Sequence, residues 1–193
     1  MAIDRKQLIV DAATKSFSLF GYKATTMDQV AKLANVGKGT IYNFFTNKEQ
    51  LFQEIVHSLI LEIKRAAENS IKDDKSFHEN LHSALNEILE YRTKHQFMMK
   101  LFEEEREMGT PAVAEMVNQI ELAIVAHIKE KVDLAVSKGE ITVYNSEVSS
   151  FLMYKMYKAL IFDWEKNHES LEKEEIAKLF QHFILKGLSI QIH

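Results

Sequence analysis

The sequence predicts an all-α fold in which a small N-terminal head is joined by a long helix to a larger helical body. Helix breakers are scarce, since 193 residues hold one proline, Pro111, and six glycines. Leu, Ile, Ala, Glu and Lys, which favour helices, are common. Apolar residues recur at three- and four-residue spacing, with no sustained alternation that would signal strands. Two Thr-x-x-Gln/Glu patterns, at Thr26 and Thr46, mark helix starts. The head is placed at 1–50 and the body at 51–193.

The first helix is expected over 5–20, with Ile9, Ala12, Ala13, Phe17 and Phe20 on one face. Gly21 stands where a left-handed C-terminal cap belongs. Thr26 with Gln29 opens a second helix, over 27–34, which Asn35-Val36-Gly37 breaks. A short third helix runs over 38–45, and Thr46 with Glu49 opens a long fourth one over 47–69. A charged connection at 72–76 leads into a fifth helix with Phe77, Leu81, Ala84, Leu85, Ile88 and Leu89 inward, and a further helix is expected over about 95–107. Gly109-Thr110-Pro111 stops the chain and restarts it, Pro111 suiting a first helical turn. The seventh helix carries Val113, Met116, Val117, Ile120, Ile124 and Ile128 on one stripe and stops at Gly139. The last two are expected over 146–167 and 171–192.

Composition narrows the class. With 46% hydrophobic and 27% charged residues the chain is globular and not disordered. It has no cysteine, which excludes disulfides, thiolate metal sites and a Cys nucleophile. No secretory leader is visible at the N-terminus, and no apolar run nears the ~18 residues of a membrane span; a cytoplasmic location is expected. The net charge of −4 is unevenly spread. Residues 1–50 hold seven basic against four acidic side chains, +3, leaving −7 for the remainder. A basic head on an acidic body permits a polyanionic partner that the average would have argued against.

The stretch 26–48 holds two short helices around a tight turn. Val30, Ala34, Val36, Ile41 and Phe45 supply a small core that sets them at a steep angle. The third helix exposes Lys38, Thr40, Tyr42 and Asn43: a cation, two hydroxyls and an amide. Such a helix fits a DNA major groove, its first residues meeting base edges. Gly37 and Gly39 let backbone N–H groups approach a phosphate closely. An ordinary bundle corner with polar residues on its wet side accounts for the same features, and the capping boxes do not discriminate.

The runs Gly21-Tyr22-Lys23-Ala24-Thr25-Thr26, Val30-Ala31, Ala34 through Phe45 and Asn47-Lys48-Glu49-Gln50-Leu51-Phe52 resemble the N-terminal signature of the TetR family of transcriptional regulators. The resemblance covers about fifty residues and implies an N-terminal helix-turn-helix DNA-binding domain with a C-terminal helical effector-binding and dimerisation domain. It implies a repressor and not an enzyme, a homodimer on double-stranded operator DNA with inverted half-sites, and release by a small-molecule effector. By that resemblance Thr26, Lys38, Gly39, Thr40, Tyr42, Asn43 and Lys48 contact DNA. Tyr42 and Lys48 would touch phosphates, and Lys38, Thr40 and Asn43 would read bases. Phe44 stands where the family often has His or Tyr, which leaves apolar contact with a thymine methyl.

In the body, the helix over 146–167 is apolar nearly all round and so must bury more than one face. Phe151, Met156, Leu160, Phe180, Phe183, Ile184, Gly187 and Leu188 are the expected dimer interface, as the resemblance also implies; completion of a monomer core is the plainer alternative. Phe97, Met98, Phe102, Met116, Met153 and Tyr157, adaptable thioethers and aromatics, are candidates for an effector pocket. An apolar or amphipathic ligand such as a lipid or acyl compound fits them, although such stripes are more often plain core. Glu103-Glu104-Glu105 with Glu107 reads as a solvated face, or as an attraction for a cationic effector.

His78-Glu79-Asn80-Leu81-His82 spells the HExxH pattern of zinc peptidases. It lies on the flank of a bundle helix with no third ligand in a supporting motif, so no catalytic residues, metal or cofactor are expected. A zinc peptidase and a head that binds protein instead of DNA remain the competing classes.

Overall fold

The computed structural model describes residues 4–94 and 96–185. All regular structure among them is helical: α1 (Arg5–Ala24), α2 (Met27–Leu33), α3 (Lys38–Phe44), α4 (Lys48–Ser70), α5 (Phe77–Lys94), α6 (Gln96–Met108), α7 (Pro111–Ser137), α8 (Ser146–Lys158) and α9 (Lys173–Phe180). The all-α reading therefore holds. Two compact units divide the chain, Met1–Leu61 with Arg92–Ile120 and Glu62–Tyr91 with Glu121–His193. Helices α4 and α7 each contribute to both.

In the first unit, Asp4 caps α1 by accepting the Gln7 N–H. Ile9, Ala12, Ala13 and Phe17 of α1 are buried with Val30, Ala31, Ile41, Phe45, Leu51 and Phe52. An aromatic cluster holds the centre. Phe17 meets Phe52 edge-on at 5.2 Å, and Tyr22 lies 4.5 Å from Phe52. Phe97 of α6 closes on Phe52 at 6.1 Å. Burial of each such ring contributes about 1.5–3 kcal/mol, so α6 is part of this core although α5 separates it in sequence from α4.

Gly21 does not cap α1 in the manner expected. It adopts φ 80°, ψ 171°, a bend inside a helix that continues to Ala24. Only glycine adopts this conformation readily. The chain turn before α3 is made differently too. Asn35, not a glycine, takes the left-handed position with φ 53°. Its N–H donates to the Lys32 carbonyl and that of Val36 to the Ala31 carbonyl, the paired bonds of a Schellman cap. Asparagine tolerates this geometry because its short polar side chain crowds the backbone little.

The α4 start also differs from expectation by one residue. The Gln50 N–H donates to Asn47 Oδ1, and Gln50 Oε1 accepts from the Thr46 N–H and hydroxyl. Asn47 with Gln50 thus does what Thr46 with Glu49 was expected to do; an amide oxygen at Asn47 caps as well as a hydroxyl.

In the second unit Phe77, Val132, Ala135, Ile141 and Met153 form a core, with Leu81, Ile128, Val143 and Ile184 packed against it. Gly139, at φ 72°, closes α7 with the same Schellman pair, Gly139 N to Val136 O and Glu140 N to Ala135 O. The Glu140 carboxylate, so positioned, accepts the Phe77 N–H at 2.6 Å and satisfies the start of α5. Helix α8 widens into a π turn at Ala159–Asp163 and a 3-10 turn at Trp164–Lys166, and α9 into a π turn at Gln181–Leu185. The unbroken last two helices expected from the periodicity are thus interrupted, and residues beyond 185 lie outside the described ones.

Replacement of Asn35 tests the turn. Asn35→Val should cost about 1–2 kcal/mol, the usual penalty of a branched residue in the left-handed region, while Asn35→Gly should be nearly neutral. Urea denaturation of the two variants checks this; equal stability would show that the turn is not under that constraint.

Candidate nucleic-acid interface

The outward face is assembled from the turn between α2 and α3. Thr26 starts α2 with a complete capping box: its side chain accepts the Gln29 N–H, and Gln29 Oε1 accepts the Thr26 N–H at 2.9 Å. Val30, Ala31 and Ala34 face inward. In α3 only Ile41 is buried. Lys38, Gly39, Tyr42, Asn43 and Phe44 are exposed and Thr40 is half-buried. Gly37 is the N-cap and makes no side-chain cap bond, so the first N–H groups of α3 have no side chain of their own to satisfy them. The face therefore presents a cation, hydroxyls, an amide, two aromatic rings and a helix N-terminus.

Two lysines in this set differ sharply. The exposed Lys38 ammonium pairs with Asp28 of α2 at 2.9 Å, and this partner holds its pKa above the ordinary value. Lys48, half-buried at the start of α4, points the other way. Its Nζ donates to the Tyr22 carbonyl at 2.8 Å and the Thr25 carbonyl at 2.9 Å, and sits 4.2 Å over the Tyr22 ring. Burial pushes its pKa down, opposed by Glu104 and Glu49. Lys48 thus fastens the α1–α2 junction through two of its three N–H groups.

The same junction is held from α6 by Glu104, which is buried, with its carboxylate accepting the Tyr22 N–H at 2.5 Å and the Lys23 N–H at 3.0 Å. Thr110 adds a hydroxyl at 3.3 Å. A Cβ on Gly21 would lie 2.5 Å from Glu104 Oε2, so the glycine also makes room for the carboxylate. Buried Thr25 completes the joint, with its hydroxyl on the Gly21 carbonyl and on Ser16. The reading of the 103–107 run as one solvated face is corrected for Glu104: the N–H groups freed by the Gly21 bend recruit it. Its neighbours Glu103 and Glu107 do pair near the surface, with Lys100 and Arg106.

The other expected site residues fall in several places. Phe97, Met98, Phe102 and Met116 are buried in the first unit. Met153 and Tyr157 line a cavity of about 250 Å3 in the second, together with Ile63, Ala67, Leu85 and Ile128. Phe180 is buried and also lines it. Among the expected interface residues Phe151 and Phe183 are exposed, as are Val148 and Leu152 of α8, while Met156 and Leu160 are half-buried. Ile184 packs on the second core, and Gly187 and Leu188 lie outside the described residues. In the HExxH stretch, Glu79 accepts the Ser76 N–H and hydroxyl, capping α5, and His82 meets Asn86. Among the described residues no three His, Cys, Asp or Glu side chains are placed to hold a metal ion, and no helix is long and apolar enough to cross a membrane.

An all-helical chain with two short helices crossed at a capped turn, the second exposing polar side chains, is a helix-turn-helix DNA-binding protein by architecture. The family profile described as bacterial regulatory proteins, tetR family, matches residues 9–55. The HTH-type transcriptional regulator YhgD of Bacillus subtilis is 53% identical over 98% of this chain and 99% of its own length. The biofilm operon negative regulator IcaR of Staphylococcus epidermidis is 36% identical over a stretch covering 28% of this chain and 29% of its own length. In fold, the fatty acid degradation regulator FadR from Bacillus halodurans superposes with a TM-score of 0.78 at 16% identity, covering 99% of this chain and 100% of the other. The SmeT–triclosan complex does so with 0.77 at 15% identity, covering 98% and 93%. The chain belongs to the TetR family of transcriptional regulators, DNA-binding proteins and not enzymes.

Two substitutions probe this interface. Glu104→Ala should cost about 2–3 kcal/mol, because a buried N–H and a part-buried one lose a charged acceptor, and should weaken DNA binding although it touches no DNA. Thermal denaturation read beside a DNA titration would show both effects; loss of neither would remove Glu104 from the joint. Asp28→Asn should free Lys38 and tighten DNA binding about two- to fivefold at low salt, the gain fading as salt screens it. Unchanged affinity at every salt concentration would mean that the pair does not compete with DNA.

Proposed function

We propose that this regulator is a homodimeric repressor that binds operator DNA with inverted half-sites and leaves it when a small apolar or amphipathic effector enters the second unit. The observation that carries the DNA half of this reading is the surface of α3, where one residue is buried and Lys38, Gly39, Tyr42, Asn43 and Phe44 are exposed. In that setting Tyr42 and the spare N–H of Lys48 meet phosphates, while Lys38, Thr40 and Asn43 read base edges from the N-terminal part of the helix. Thr26 and Gly39 let backbone N–H groups approach the sugar-phosphate chain. Support for the dimer comes from Val148, Phe151, Leu152 and Phe183, exposed apolar side chains on α8 and its neighbour. A two-fold dimer pairs two heads with two half-sites.

Support for the effector half comes from the cavity, whose lining includes Ile63, Lys64 and Ala67 of α4. That helix begins at Lys48, which holds the head. A ligand that alters how α4 packs therefore acts on the helix that fixes the α1–α2 junction. SmeT, of the same fold, has been captured with triclosan.

The test is binding to a duplex carrying inverted half-sites, followed across salt. Affinity should fall steeply as salt rises, since several phosphates are neutralised. Tyr42→Phe should weaken binding on all sequences with unchanged thermal stability, and Asn43→Ala should also blur sequence preference. Lys48→Met should lower both affinity and melting temperature, because it fastens the head. Affinity indifferent to salt would overturn the reading.

A further inference from the structure

The cavity walls are apolar, but the charge around them is not what the second unit as a whole would supply. Residues 62–91 and 121–193 hold 13 basic and 18 acidic side chains, −5 in all. The cavity lining holds Lys64, Lys72, Lys75, Lys131 and Lys138 against Asp73 and Glu140, +3. One of those two carboxylates, Glu140, is already engaged by the Phe77 N–H. An acidic unit thus places five of its 13 basic side chains, and only two carboxylates, at the lining of its own cavity.

Within that lining one corner is organised around an anion. Lys131 Nζ donates to Glu68 Oε1 at 3.2 Å. The same oxygen lies 3.9 Å from His127 Nε2, a buried nitrogen with no hydrogen-bond partner. Glu68 itself is exposed and does not line the cavity. A surface carboxylate thus engages Lys131 while leaving the histidine unsatisfied, and Lys64 is close enough to disfavour a second positive charge on that ring. Burial, first, and Lys131, next, hold the His127 pKa below its ordinary value, so the ring is neutral at pH 7 and offers one N–H and one acceptor.

We propose that the cavity takes a single-chain amphipath with a carboxylate head, the head replacing Glu68 on Lys131 and His127 beside Lys64 while the tail fills the apolar interior. This rests on the reading of the cavity as the effector site and specifies the chemistry of the effector. Size agrees, since a cavity of about 250 Å3 has room for a short or medium alkyl chain. The tail meets Ile63, Ala67, Leu81, Leu85, Ile128 and Met153, so each methylene added to it leaves water for an apolar wall.

Calorimetric titration of the full-length protein, free of DNA, with decanoate, decanol and decyltrimethylammonium tests the proposal. Decanoate should bind about tenfold or more tightly than the other two. Lys131→Met should weaken decanoate about five- to tenfold, and Glu68→Gln should tighten it about threefold by removing the competing carboxylate. Neither substitution should change decanol binding more than about twofold, and thermal melts should show both variants folded. Equal affinity for the three probes, no binding of decanoate, or decanoate affinity untouched by both substitutions would each overturn it. The two readings fail separately. Decanoate binding as expected without release of operator DNA would sink the effector reading alone. Release by a neutral apolar compound, with decanoate inert, would sink this one alone.

Discussion

Everything the head does depends on one buried carboxylate. The bend at Gly21 leaves the Tyr22 and Lys23 N–H groups without helical partners, the first buried and the second part-buried, and Glu104 accepts both. A charged acceptor is worth more here than a neutral one, because a donor left unsatisfied in such a setting costs a full desolvation penalty. From that joint the direction of α2 follows, then the capped turn at Asn35, then the face that α3 turns outward. Lys48 binds the other side of the same joint through the Tyr22 and Thr25 carbonyls. The segment 21–25 is thus held from α6 by an anion on its N–H groups and from α4 by a cation on its carbonyls. Neither charge is isolated, since Glu104 also acts on Lys48 and opposes the effect of burial upon it.

The two lysines show why formal charge is a poor guide to a binding face. Lys38 is exposed and its positive charge is engaged by Asp28, ten residues away in α2, a partner that polyanionic DNA can displace because both groups lie in water. Lys48 is half-buried and its hydrogen bonds go to backbone carbonyls, which DNA has no reason to displace. The modest +3 of residues 1–50 therefore contains one cation held in reserve and one committed to the scaffold.

Sequence periodicity disclosed most of the fold and the outward face of α3. A seven-residue helix with Ile41 as its one apolar anchor leaves little choice about which side chains face water, and Thr26 with Gln29 formed the box that its spacing predicted. The Thr46 box moved by one residue because Asn47 is an equally good cap, and spacing alone cannot rank the two. Glu104 was hidden for a stronger reason. Its partners lie 81 and 82 residues away, and a run of glutamates carries no mark of which member is buried. The cavity was only half legible: Met153 and Tyr157 line it, but Phe97, Met98, Phe102 and Met116 fill the other unit. A helical stripe of thioethers and rings has the same pattern whether its neighbours close upon it or leave a gap, since a cavity is an absence of atoms that no residue encodes alone.

Helix α4 is the element on which both halves of the proposed function draw. Its first residue fastens the DNA-binding joint, and its later turns supply Ile63, Lys64 and Ala67 to the cavity and Glu68 to the corner beside it. Coupling between two ligands requires a free-energy difference between states, typically about 1–3 kcal/mol, and tight binding alone supplies none. An apolar tail filling the cavity acts on Ile63 and Ala67 by packing; a carboxylate head that replaces Glu68 acts on the same helix by releasing a side chain from α7. An amphipath therefore has two independent handles on α4, where a purely apolar ligand has one. That difference gives a physical reason for the lysines to gather at this cavity: the head group does more than add affinity, because it exchanges one of the contacts that tie α4 to α7.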